Sequence, residues 1–467
     1  MFQRYLLDDA DVQALSDAVL TILEKVGALC QSQEMLRALA AWGADVDYQG
    51  ETVHFPRRLV EEFAASMRRE PEADSGQAMQ PAPLPGLGTQ VAQFFYDDAT
   101  GERRPGGKAD LIYLTKLGDV LHGEEGVGHS LLLRDVPPLL EPLEAGYVLA
   151  EWARKPAGPF AWDVRQVDYL IEMGEILGQP NWFTMGAICF AHPLRFDQAV
   201  AERVVRMAKL GYSIGLTGMQ VAGASTPVTI SGFVAVSAAE FIATWIVGRA
   251  INPKVHLGGI IWPATVDMHN GEVSYSAPDA MLRGFATAEF LRRWCGRSIA
   301  VSTGEYSSAK LPGLYAALEK AYKAMTIAAF TGRHPSLGEG MLDTGKTISA
   351  VQLLLDREYT LAQHSLAQKV DCSTESIGME SIIEIGYGLT SNHLLTEHTL
   401  RHFRDSLWIP KLISRGGWNG YEEEKAVLEK VRQHVEELVA QYRKPERDPD
   451  MLARLRAVIE RARRQLL

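Results

Sequence analysis

The sequence predicts an α/β fold: a (β/α)8 TIM barrel carrying an N-terminal helical extension and C-terminal helices. Three observations point there. From about residue 115 to 400, a short β-like or glycine-rich run is followed repeatedly by an amphipathic helical run of about 12 to 20 residues. The β-like runs are mostly apolar, as expected of parallel strands covered on both faces by helices. Seven or eight such units across roughly 280 residues suit a closed barrel better than an open sheet.

Residues 9–43 read as helices. Asp9 or Asp11 can cap, and Val12, Leu15, Val19, Ile22 and Val26 recur at helical spacing. "MLRALAAWG" repeats the pattern, and Gly43 suits the position just past a helix end. "ADVDYQGETVHFP" alternates like a hairpin, and "RRLVEEFAASM" returns to helix. Residues 70–90, rich in Pro, Gly and small polar residues, read as a linker. They divide an extension, 1–85, from a barrel, 86–405.

"QVAQFFYDDATGERRPG" reads as a hairpin with "ATGE" at its tip. The expected barrel strands are "GVGHSLLL", "PFAWDV", "NWFTMGAIC", "YSIGLTG", "KVHLGGII", "RSIAVSTG" and "HPSLGEG", with "DCSTESIG" (371–378) as the eighth. Residues 406–467 read as terminal helices. Leu428, Val431, Val435, Leu438 and Tyr442 share a stripe, "PERDP" breaks the chain, and "MLARLRAVIERARRQLL" closes it. Such a tail is expected to pack on its own barrel or on a second subunit.

The 467 residues are 46% apolar and 22% charged, enough to bury a large core. The formal charge of −11 argues against nucleic acid as the main partner and mildly favours a cationic ligand. Four scattered cysteines, Cys30, Cys189, Cys295 and Cys372, form no C-x-x-C and read as reduced thiols. "CFAH" (Cys189 to His192) is half a zinc pattern without a second half. The opening residues lack a signal-peptide profile, and no run of about 18 apolar residues occurs. A cytoplasmic protein without a membrane span is expected.

Two motifs invite misreading. "GEGMLDTGKT" contains G-x-x-x-x-G-K-[ST], the phosphate-loop pattern. Such enzymes also need a neighbouring strand ending in a magnesium-holding Asp. The nearest match, Asp356 in "LLLDRE", lies only ten residues past Lys346, in the same helical run. The segment reads instead as a glycine-rich strand-to-helix turn at the active face of a barrel. "DMHNGE" (267–272) approaches the Asp-x-His-x-x-Gly pattern of base-displaced cobalamin proteins, but Gly271 is one place early and Glu272 fills its position. His269 reads as a surface-loop residue.

Several blocks, in order along nearly the whole chain, resemble the trimethylamine methyltransferase family, specifically its members without pyrrolysine, such as those acting on glycine betaine. They are "DDATGERR", "RDVPP", "AGASTPVTISG", "DMHNGEVSYSAPDAML", "LEKAYKAMTIAAFTG", "GEGMLDTGKTISAVQLLLDRE" and "TEHTLRHFRDSLWIPKLISR". Pyrrolysine would fall near "STGEYSSAK" (302–310), where only standard residues stand. The resemblance implies a (β/α)8 barrel and methyl transfer to a corrinoid (cobalamin), carried by a partner corrinoid protein or supplied free and not bound permanently. A quaternary amine suits a site without pyrrolysine, because loss of a methyl group releases a neutral amine and needs no acid or base.

A quaternary ammonium is held by aromatic faces. Phe94, Phe95, Tyr96, Trp162, Trp182, Trp262 and Tyr306 are the candidates, with Trp162, Trp262 and Tyr306 preferred. Glu305, Tyr306 and His334 are expected as the catalytic residues, with Glu305 opposite the cation. His334, Arg333 and Lys346 are candidate donors to a substrate carboxylate. The turn around Gly340 offers a backbone anion nest. Asp343 is expected to cap the helix that begins near Ile348 or to brace that turn, and His393 or His398 to line the mouth near the corrinoid. A homo-oligomer is expected. The alternatives are a zinc-dependent corrinoid methyltransferase acting on another methyl donor and a betaine-binding barrel that does not transfer methyl groups.

Overall fold

The computed structural model describes residues 5–70, 83–302, 304–332, 335–366, 368–413 and 422–467. The architecture is mixed α/β: many helices surround several small sheets.

The first helix, Asp9–Lys25, is capped by Asp8 rather than Asp9 or Asp11, with Asp11 closing a reciprocal capping box. Its buried stripe is Leu15, Val19, Leu20 and Leu23, whereas Val26 is exposed past the last turn. The helix Gln33–Trp42 starts on the Ser32 side chain and stops at Gly43, where φ is 106°. The hairpin Asp45–Asp47 with Thr52–His54 forms as expected. It continues through Ala28–Cys30 to a parallel pairing with Arg195–Phe196, which ties the N-terminal segment to the body. Their side chains share one core: Leu15, Met35 and Phe55 lie with Phe233, Phe241 and Trp245.

That core is centred on the helix Ile230–Ile251. It is long and apolar enough to cross a membrane by length and composition, contrary to the sequence expectation that no such helix occurs. Its most apolar 18-residue window is 78% buried inside the protein, so it serves as a core helix.

Of the expected linker, 71–82 lies outside the described residues. The rest is structural. Leu87 is buried and its N–H donates to His122 Nε2 at 3.0 Å, and Ala92 pairs in parallel with Leu131. Its glycines permit close approach: a Cβ on Gly88 would stand 2.4 Å from Gly128 Cα.

Parallel neighbours then follow in chain order. Val127 bridges Pro156, Phe160–Ala161 pairs with Thr184–Met185, and Ile188 bridges Leu216. Ile214–Gly218 pairs with Leu257–Ile261, which pairs with Ala300–Val301. Gly304 N–H then donates to the Ser336 carbonyl at 2.7 Å. Among the described residues these pairings belong to separate short sheets and single bridges, not to one closed sheet.

Three expected strands are corrected. "GVGHSLLL" holds only single bridges, at Val127 and Leu131. "DCSTESIG" holds the short helix Thr374–Ile377, started by the Ser373 side chain and stopped by Gly378. In "HPSLGEG", residues 335–340 hold no strand; Met341–Leu342 follows and pairs antiparallel with Thr347–Ile348. The terminal helices Glu423–Gln441 and Pro449–Leu466 pack on their own chain. Val431 and Val435 join Leu111 and Leu354, while Leu455 and Ile459 join Leu140 and Leu170.

Candidate functional site

Trp262 immediately follows the strand Leu257–Ile261, and Tyr306 lies a few residues past Ala300–Val301. Both are therefore at the C-terminal ends of paired parallel strands. Their rings meet edge to face, with centroids 4.4 Å apart and planes at 89°. Tyr275, from the turn after Val273–Ser274, adds a third ring 5.2 Å from Tyr306. Trp262 is buried, Tyr275 and Tyr306 are half-buried, and the Tyr306 hydroxyl donates to Gln90 Oε1 at 3.3 Å.

Charged groups of both signs stand beside these rings. Glu305 is buried, and its Oε2 makes no hydrogen bond among the described residues. Burial raises its pKa, with Lys323 and Lys320 pulling the other way. Lys323, on the helix Leu314–Thr331, is fully buried, 5.6 Å from the Trp262 ring centroid, and donates to the Tyr306 carbonyl at 3.4 Å. Burial lowers its pKa, and Glu305 opposes that shift. Lys320, one helical turn away, is instead committed to Asp356 at 2.6 Å.

The loop bearing Glu305 and Tyr306 is braced from two sides. From below, Glu319 accepts from the Ser307 hydroxyl and Ser308 N–H, each at 2.7 Å, and from the Ser276 hydroxyl at 2.9 Å. From beside it, Asp343 N–H donates to the Ala309 carbonyl and Thr344 N–H to the Ser307 carbonyl, each at 2.7 Å. Asp343, Thr344 and Gly345 all have positive φ. At Gly345 the backbone lies so close to the cage that a Cβ would stand 2.1 Å from Tyr306 Cε1.

The phosphate-loop pattern is thus a hairpin turn pressed against an aromatic ring. Its N–H groups are already used: Gly340 donates to Asp356, Gly345 to the Leu342 carbonyl and Lys346 to the Asp343 carbonyl. This corrects the expectation of an anion nest. Asp343 braces the turn through ion pairs with Arg103 and Lys310. Thr347 accepts from Arg103 at 3.0 Å, and the Lys346 side chain is exposed.

The other expected site residues lie in different settings. Trp162 stacks on Phe160 at 5.6 Å and donates its indole N–H to Glu141, so its ring contacts are outside the Trp262 group. The Arg103 guanidinium covers Phe94, 3.5 Å from the ring centroid. Tyr96 is half-buried on the same strand, and burial raises its pKa. His393 is exposed and bonded to Ser381 at 3.0 Å. His269 lies in an exposed turn, as expected. Arg333 and His334 lie outside the described residues. A cavity of about 260 Å³ lined by Lys155, Gly158 and Trp182 opens where strands Phe160–Ala161 and Thr184–Met185 begin, the opposite strand end from the cage.

Tyr275 and Lys323 escaped sequence reasoning. Lys323 sits in "LEKAYKAM", part of a stretch read only as an amphipathic helix, and a lysine there gives no local signal that it is buried. Tyr275 reaches the cage from a return turn, which no strand-end rule anticipates.

Comparisons with known proteins agree on one family. Residues 3–466 match the family model described as trimethylamine methyltransferase (MTTB). Trimethylamine methyltransferase MttB2 of Methanosarcina mazei is 27% identical, with 59% of this chain and 55% of that protein aligned. The chain therefore spans about half the length of that relative. Trimethylamine methyltransferase MttB of Desulfitobacterium hafniense is 21% identical, with 90% and 88% covered. The glycine betaine methyltransferase of Desulfitobacterium hafniense is 22% identical, with 97% and 96% covered.

Proposed function

Because this chain belongs to the trimethylamine methyltransferase family, we propose that it takes a methyl group from a zwitterionic quaternary amine, glycine betaine first, and passes it to the Co(I) corrinoid of a partner protein. One observation carries this reading: a buried carboxylate, one oxygen of which makes no hydrogen bond among the described residues, and a buried ammonium, Glu305 and Lys323, stand beside the Trp262, Tyr275 and Tyr306 rings. A betaine has matching charges at its two ends. The near full-length relative named for glycine betaine supports the same substrate class.

In this reading the rings and Glu305 hold the trimethylammonium, each ring contributing about 0.5 to 2 kcal/mol. Lys323 takes the carboxylate, the role that the sequence suggested for His334, Arg333 or Lys346. A corrinoid brought to the mouth would supply the electron pair that forms the new bond to the methyl carbon. The C–N bond breaks, its electrons stay on nitrogen, and a tertiary amine leaves neutral at that atom. No proton moves, so Glu305, Tyr306 and Lys323 act by placing charge and excluding water. A reduced, cytoplasmic setting suits so strong a reductant. The ordered parallel pairings support a (β/α)8 barrel, with the segment ending at Ala92 as the missing eighth strand.

A panel of quaternary and tertiary amines with free cob(I)alamin, scored by methylcobalamin absorbance, tests the assignment. Betaines should react, and trimethylamine should not. Betaine affinity, measured by calorimetry, should be bell-shaped in pH, because binding needs Glu305 ionised and Lys323 protonated. E305Q should remove the acid limb and K323M the alkaline limb. Reaction of trimethylamine alone, or a flat profile, would overturn the proposal. Binding without methyl transfer would favour a betaine-binding protein. The zinc-dependent alternative needs a donor set, and no group of three or more metal-ligating side chains occurs among the described residues.

A further inference from the structure

Residues 368–409 leave the end of the helix Ala350–Leu366 and return to its side, where Lys411 N–H donates to Glu358 at 2.6 Å. Between these points lie the helices Thr374–Ile377, Met379–Ile385 and Glu397–Ser406 and the turn His393–Leu395. Not one apolar side chain in this segment is buried. Val370 and Leu389 are each 89% exposed, Tyr387 98%, Leu394 81% and Leu395 77%. Polar contacts hold the segment's own shape: Ser381 bonds His393 at 3.0 Å, and His398 bonds the Glu375 carbonyl at 3.1 Å. The segment is pre-shaped with its apolar side chains outward.

The same chain carries a second unpartnered stripe. On the helix Leu314–Thr331, Leu314, Leu318 and Met325 recur at helical spacing and are 64%, 61% and 57% exposed, with Tyr315 beside them. The inner face of this helix holds Glu319 and Lys323 of the candidate site.

We propose that residues 368–409 form an arm that clasps a second copy of this chain, covering the Leu314–Leu318–Met325 stripe of that copy. The exposed apolar area of the arm is on the order of 1,000 Å² per chain, well above the patch of a stable monomer. Doubled across a two-fold axis it gives about 2,000 Å² or more, the range of permanent homodimers. A protein that docks and leaves at every turnover uses a smaller, more polar face. Two unlike apolar faces on one chain also meet the demand of a closed dimer, in which each face finds the other twice. The proposal stands independently of the substrate assignment.

Sedimentation velocity of the full chain from 1 to 50 µM tests it. The wild-type chain should be dimeric, and both L394E/L395E and, separately, L318E should shift it to monomer. Circular dichroism checks that each variant is folded. Should the arm variant fail to fold, L318E and a disulfide cross-link between separately made L394C and L318C chains, both lacking Cys372, decide the matter. A wild-type monomer throughout this range would overturn the proposal. So would a dimer untouched by both folded variants, or association through this face only when a corrinoid protein is added.

Discussion

Gly345 shows how one position can carry a motif's spelling and a different purpose. The sequence offers it as the last glycine of a phosphate loop, yet in the structure it lets the backbone lie against the Tyr306 ring. G345A should push the ring out of the cage and weaken betaine binding at least tenfold. G211A is the control: Gly211 has nearly the same φ, 79° against 81°, but nothing lies within 4 Å of its Cβ position. Equal losses in the two variants would mean that backbone strain, not the ring contact, is responsible. W262A should weaken binding by about three- to thirtyfold, the range expected for one ring on a cation. Trp262 and Tyr306 were legible because aromatics at the ends of expected strands are natural cage candidates. Tyr275 and Lys323 were not, because their approach is set by a return turn and by the inward face of a helix.

The helix Ala350–Leu366 illustrates what lies between local signal and final packing. Ser349, not Asp343, begins it, accepting from Gln352 N–H at 3.0 Å. A second cap comes from far away in sequence: Asp98 accepts from the Ser349 hydroxyl at 2.7 Å and from Val351 N–H at 3.2 Å. Burial raises the Asp98 carboxyl to about 6 despite these bonds. D98A should lower stability by about 1 to 2 kcal/mol and D98N by much less, measured by urea unfolding. An equal loss in both would refute the capping role. The stop at Gly43 was readable because a glycine past a helix end is a local signal. The expected strand at 371–378 was misread, because those residues carry polar cap chemistry that makes a helix; the parallel bridge at Ala92 was missed, because the glycine-rich stretch before it looked like a linker.

Buried acids give the fold a pH dependence that follows from its packing. Glu240 accepts from Leu194 N–H at 2.9 Å and from the Gln220 amide at 2.6 Å, yet burial raises its carboxyl to about 7. The folded chain therefore holds this proton to higher pH than the unfolded chain does. The resulting stability is present in full below the unfolded value and is lost as pH rises through about 7. Its size is on the order of 3 kcal/mol. Thermal unfolding from pH 5 to 8 should show wild-type stability falling more steeply than that of E240Q; parallel curves would show that Glu240 does not titrate in this way. By itself the sequence determined the α/β rhythm, the presence of the main helices and the family, because periodicity and ordered blocks are local and survive any packing. Only the tertiary structure decided which rings meet, that Lys323 and Glu305 share one buried site, and that the glycine-rich turn supports a ring in place of a phosphate. Those outcomes depend on contacts between segments far apart in the chain, where burial, more than residue type, sets charge and reach.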